Sequence, residues 1–134
     1  MKKVLLLLVI VLVGCTAEQY TADDVVQVFE DENLEIEDVE SLTEDEYNME
    51  GIGEDMYAMD GARFSIPSHE THARILIFDD KDKLEKRLDF NDRIKESVNV
   101  GTWDIVHGNI LIEMDKELPE EQFEKYKAAI KALN

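Results

Sequence analysis

Apolar positions follow three spacings along the chain. The first is an unbroken run of ten residues, Val4 to Val13. A helix rises about 1.5 Å per residue, so ten residues cannot cross a hydrocarbon layer about 30 Å thick. The second spacing is helical. Ala22, Val25, Val26 and Phe29 share one face behind Thr21-Ala22-Asp23-Asp24, a cap with an acid at the third helical position. Asn33 offers a left-handed stop, and Thr43 to Tyr47 makes one short helical turn. Leu84, Leu88 and Ile94 mark the buried side of a helix from Asp79 or Asp80 to about Ser97. Leu118-Pro119-Glu120-Glu121 opens a last helix, with Pro119 at its first position and acids in its first turn. Phe123, Tyr126, Ile130 and Leu133 form its stripe, and Lys127 and Lys131 suit its C-terminal end.

The third spacing alternates. Leu34 and Ile36 alternate with acids in a strand placed over 34–42. Ala62, Phe64 and Ile66 alternate with Arg63 and Ser65 in a strand closed by Pro67. Arg74 to Phe78 pairs with it across a loop holding His69 and His72. Thr102 to His107 and Ile110 to Asp115 flank Gly108-Asn109, a two-residue hairpin turn. Tyr47 to Gly61 has no period and is long for a connection, hence either functional or loosely ordered. The order α-β-β-β-α-β-β-α predicts an α+β fold: an antiparallel sheet of about five strands, with helices packed mainly on one face.

The apolar run at the start changes what the rest of the chain means. Lys2 and Lys3 precede it, as in a signal peptide. Leu12-Val13-Gly14-Cys15 then resembles the lipobox of bacterial lipoproteins, which implies a diacylglyceryl lipid on Cys15 and cleavage before it. An ordinary secretory signal is the alternative. It leaves Cys15, the single cysteine, without a role, since a lone thiol forms no internal disulfide. The expected organisation is a signal peptide over 1–14, a lipidated cysteine and tether over 15–20, and one domain over 21–134. No cofactor other than the lipid is expected.

Composition narrows the partners. Val4 to Ala62 contains 17 acids and no Lys or Arg, whereas the chain from Arg63 onward has 15 acids and 12 bases. Loss of Lys2 and Lys3 would take the formal charge from -18 to -20. Nucleic acid is excluded as a partner, because phosphate binding needs a basic surface. The acidity serves either cation capture and docking on a basic partner, or solubility in a salty or alkaline exterior.

Candidate chemistry is sparse. In the Gly108-Asn109 hairpin Ile105 faces Ile112 and Trp103 faces Met114, an apolar core face. Asp104 faces Glu113 on the other side, and opposed carboxylates need a cation or a basic side chain between them. The functional version is a metal ligand pair or an acid–base pair. The structural version is a neighbouring Lys or Arg. His69 and His72, with Glu70 between, have His-x-x-His spacing but lack the helix that fixes zinc geometry in His-Glu-x-x-His sites. Met49, Met56 and Met59 offer soft thioethers to Cu(I), or apolar anchors for their loop. Asp31-Glu32-Asn33-Leu34-Glu35-Ile36 starts like a calcium loop and lacks its glycine at position six. Ser41, Ser65, Ser68 and Ser97 lie in no nucleophile-elbow sequence. Gly51-Ile52-Gly53 lacks the strand and helix of a phosphate loop.

Arg63-Phe64-Ser65-Ile66-Pro67-Ser68, Asn109-Ile110-Leu111-Ile112 and Leu118-Pro119-Glu120-Glu121 leading into Lys125-Tyr126, together with the lipobox, resemble a family of small uncharacterised lipoproteins of Bacillus-type Gram-positive bacteria. That resemblance covers most of the chain after Cys15, and its motifs are structural. It implies a lipid-anchored domain on the outer face of the cell membrane. The expected function is a non-enzymatic interaction domain for an envelope protein or component. The alternative is a Ca-, Zn- or Cu-binding envelope lipoprotein using the acidic N-terminal half or the Asp104/Glu113 pair, with His69 and His72 as further candidate ligands.

Overall fold

The computed structural model describes residues 19–48, 51–98 and 101–133. The signal segment, Leu12, Val13, Gly14, Cys15 and Met49 lie outside the described residues. In chain order the elements are α1 (Ala22–Asp31), β1 (Glu37–Ser41), α2 (Glu44–Tyr47), β2 (Asp60–Ile66), β3 (Thr71–Ile77), α3 (Lys81–Val98), β4 (Thr102–His107), β5 (Ile110–Asp115) and α4 (Glu120–Ile130). Short 3-10 turns at Glu54–Met56 and Pro67–His69 precede β2 and β3. The five strands form one antiparallel sheet in the order β1-β2-β3-β5-β4, the α+β architecture expected from the patterning.

Local chemistry sets the ends of these elements. At the start of α1 the Thr21 hydroxyl accepts from the Asp24 N–H (3.2 Å), and the Asp24 carboxylate accepts from the Thr21 N–H (2.9 Å). Two of the helix's orphan donors are thereby satisfied. Asn33 follows with φ of 58°, the left-handed conformation that Asn tolerates. Pro119 sits one residue earlier than expected, as the N-cap of α4. The first strand is shorter than its alternation implied. Leu34 and Ile36 tuck against the core before β1, which is exposed along its whole length.

Helices cover both faces of the sheet. Phe29 of α1 and Tyr126 of α4 pack edge-on at 5.1 Å and 87°, over Phe64, Ile75 and Ile112. The 18-residue α3 lies on the opposite face, with Leu84 against Leu76, Phe78 and Leu111. The cause lies in β3 and β5. Ile75-Leu76-Ile77 and Ile110-Leu111-Ile112 are apolar at every position, so each central strand has two faces to bury.

The described residues of the 47–61 segment are held to one another. Asn48 donates to the Ala58 carbonyl (2.9 Å) and accepts from the Ala58 N–H (2.7 Å), and both residues are buried. Tyr47 packs over Gly61, where a Cβ would stand 2.9 Å from the Tyr47 Cβ.

Candidate functional site

One row of cross-strand partners runs over all five strands and carries a charge at every position. In sheet order it reads Glu40, Arg63, Arg74, Glu113, Asp104. The row lies on the face that α3 covers, because its residues alternate with the core residues Phe64, Ala73, Ile75, Ile112, Met114 and Ile105 of the other face. Above it, α3 contributes Arg87, Asn91 and Lys95, spaced four residues apart on one helical side.

Opposite charges close the row at its ends. Arg63 pairs with Glu40 at 3.0 Å, and Lys95 pairs with Asp104 at 3.2 Å. In the middle Glu113 serves two guanidiniums. Arg74 approaches it at 3.5 Å and Arg87 at 3.9 Å, while Asn91 donates to its other oxygen at 2.5 Å. Arg87 is fully buried and also donates to the Tyr47 carbonyl at 3.3 Å, which ties the 47–61 segment to α3. Beside this network lies a cavity of about 470 Å³. Arg63, Arg74, Glu113, Asp115 and His72 line it from the sheet, and Asn91 and Ile94 from α3.

No protein-family model matches the chain, and neither does any curated protein or solved structure.

The hairpin register places Asp104 opposite Glu113 as the turn implied. Of the two ways to tolerate that pairing, the structure uses basic side chains, with Lys95 on one carboxylate and Arg74 and Arg87 near the other. His72 belongs to β3 and not to the loop before it. Its N–H donates to Asp115 at 2.8 Å, and its ring nitrogen lies 3.9 Å from the same carboxylate. His69 stays in the 3-10 turn, while His107 bonds the Leu133 carbonyl at 2.8 Å near the Gly108-Asn109 turn. Among the described residues no group of three or more His, Cys, Asp or Glu is placed to hold a metal ion. Met56 is half-buried and Met59 is exposed.

Sequence reasoning missed the basic members of the site. Arg87 and Asn91 had a signal, since they fall on the side of α3 already marked by Leu84, Leu88 and Ile94. Arg63 and Arg74 had none until the strand order set Arg74 beside Glu113.

Burial shifts two of these groups. It pushes the Arg87 guanidinium below its usual value, and the nearby Glu113 opposes that change. It also raises Asp104 above 3.8, against the Thr102 hydroxyl bond and the Lys95 charge, which favour the carboxylate. An acid with a raised folded value binds its proton more tightly when folded. Its contribution to stability is therefore present below 3.8 and is lost as pH climbs through the folded value. Asp104→Asn removes that loss. The stability of this variant relative to the parent is expected to rise between about pH 3 and pH 7, read from urea midpoints. A flat or falling difference would show that Lys95 outweighs the burial of Asp104.

Proposed function

We propose that the chain is a lipid-anchored extracytoplasmic binding domain, non-enzymatic, attached through Cys15 and presenting its cavity away from the membrane to an envelope component. The observation that carries the orientation is a clasp at the start of the domain. The Asn109 side chain accepts from the Tyr20 N–H at 3.0 Å and donates to the Tyr20 carbonyl at 3.1 Å. The Tyr20 ring lies 5.6 Å from that of His107. The tether therefore leaves the domain beside the Gly108-Asn109 turn.

The cavity lies toward the other end of the same strands. Asp115 is five residues along β5 from Ile110, roughly 17 Å at about 3.3 Å per residue. Cys15 is five residues before Tyr20, so the tether reaches at most about 18 Å. A lipid at Cys15 holds the turn end near the bilayer and points the cavity outward. Two acyl chains give stable attachment where one does not.

Other features agree. Among the described residues no helix is long and apolar enough to cross a membrane. The large apolar side chains exposed there are Val39, Met59 and Val106, with Val39 and Val106 on opposite edge strands, so they form no common patch. The cavity is thus a better recognition element than the surface.

Two measurements test the proposal. In a Gram-positive host the full chain is expected to incorporate a fatty-acid analogue and Cys15→Ser is not; equal labelling of both sinks the anchor. Trp103, the single tryptophan, stands beside Thr102 at the cavity end. In vesicles with brominated acyl chains it should be quenched less than a tryptophan placed at the turn end by Trp103→Phe with His107→Trp. The reverse order would mean that the cavity faces the membrane.

A further inference from the structure

Three observations at and beside the cavity point to an anion-binding role. Arg63 and Arg74 are direct cross-strand partners, and both line the cavity. Like charges in that relation repel unless an anion lies between them. Next, Arg74 and Arg87 share one carboxylate, Glu113, at 3.5 and 3.9 Å, so neither guanidinium has a close counterion of its own there. Finally, Arg74, which lines the cavity, has its Nε buried with no hydrogen-bond partner among the described residues, and its Nη2 has only the 3.5 Å approach to Glu113. Buried donors left unpaired are costly, and charged ones more so.

We propose that the cavity binds a small organic carboxylate, with its carboxylate group between Arg63 and Arg74. The planar guanidinium fork matches a carboxylate in two parallel bonds. Glu113 and Asp115 lie on the same wall, and they select a singly charged group over phosphate or another dianion. About 470 Å³ suits a molecule of metabolite size. Asn91 and Thr102 offer hydrogen bonds to the rest of the ligand, and Ile94 an apolar contact. Glu40 competes for Arg63 from outside, at 3.0 Å.

This inference adds a ligand class to the binding role proposed above and rests on the cavity, not on the anchor. Absence of lipid on Cys15 and absence of carboxylate binding are separate failures. The test uses the full chain in mild detergent, with thermal unfolding and calorimetric titration at fixed ionic strength. The probes are acid–amide pairs of two to eight carbons (roughly the size range the cavity admits), the free amino acids, and inorganic phosphate. At least one acid is expected to raise the melting temperature while its amide does not. Arg63→Gln, at a half-exposed position, should weaken that acid about 10- to 100-fold. Glu40→Gln should tighten it by up to about fivefold, because a surface competitor is removed. A purely structural role for the row gives no such gain. The inference is overturned if no acid acts beyond matched chloride, if amides act equally, if phosphate surpasses every acid, or if both variants bind like the parent.

Discussion

Replacing Glu113 with alanine is expected to destabilise the domain by about 3–5 kcal/mol, lowering the melting temperature by ten degrees or more. Its side chain is 9% exposed, and among the described residues it is the one acid paired within 4 Å of Arg87, which is 0% exposed. Without it, two guanidiniums of like sign remain under α3, and Asn91 loses the acceptor it holds at 2.5 Å. Unlike Lys95, at 30% exposure, Arg87 has no route to water by which to relieve its charge. Asp104→Ala is accordingly the milder change, because Lys95 is left half in solvent. Urea unfolding of both variants ranks them. A loss below about 1 kcal/mol for Glu113→Ala would mean that the arginines are already solvated.

How much of this was legible in advance depended on distance along the chain. The capping box at Thr21 and Asp24 and the turn at Gly108-Asn109 are written in neighbouring residues, and both formed as their chemistry requires. Asp104 opposite Glu113 followed from that turn alone. The second covered face was also present in the sequence, since Ile75-Leu76-Ile77 and Ile110-Leu111-Ile112 have no polar side. The charge row was not. It exists because β5 inserts between β3 and β4, which brings Arg74 next to Glu113 across 39 positions of sequence, and no local pattern encodes that order. The Asn48–Ala58 bonds escaped for a related reason. A side chain that pairs with backbone ten residues away leaves no periodic trace.

Replacing the three central charges together, as Arg74→Met, Arg87→Leu and Glu113→Leu, is expected to reverse the sign of the single substitution. The triple variant should match the parent in stability or exceed it by about 1–4 kcal/mol. Removing one partner strands a buried charge, whereas removing all three withdraws the cost of burying those charges, leaves only the neutral Asn91 amide without its acceptor, and extends the Leu84, Leu76 and Leu111 contacts toward the row. Binding should move the other way. With Arg74 gone, Arg63 alone cannot clamp a carboxylate, so an acid that raised the parent's melting temperature should leave the triple variant's unchanged. A more stable but silent variant would mean that the buried charges are kept for the ligand at a cost in stability, as recognition sites often are. A variant that is both stable and still responsive would place the carboxylate elsewhere in the cavity and leave Arg74 a purely structural part. Thermal unfolding of parent, single and triple variants, each with and without the same acid, separates these outcomes.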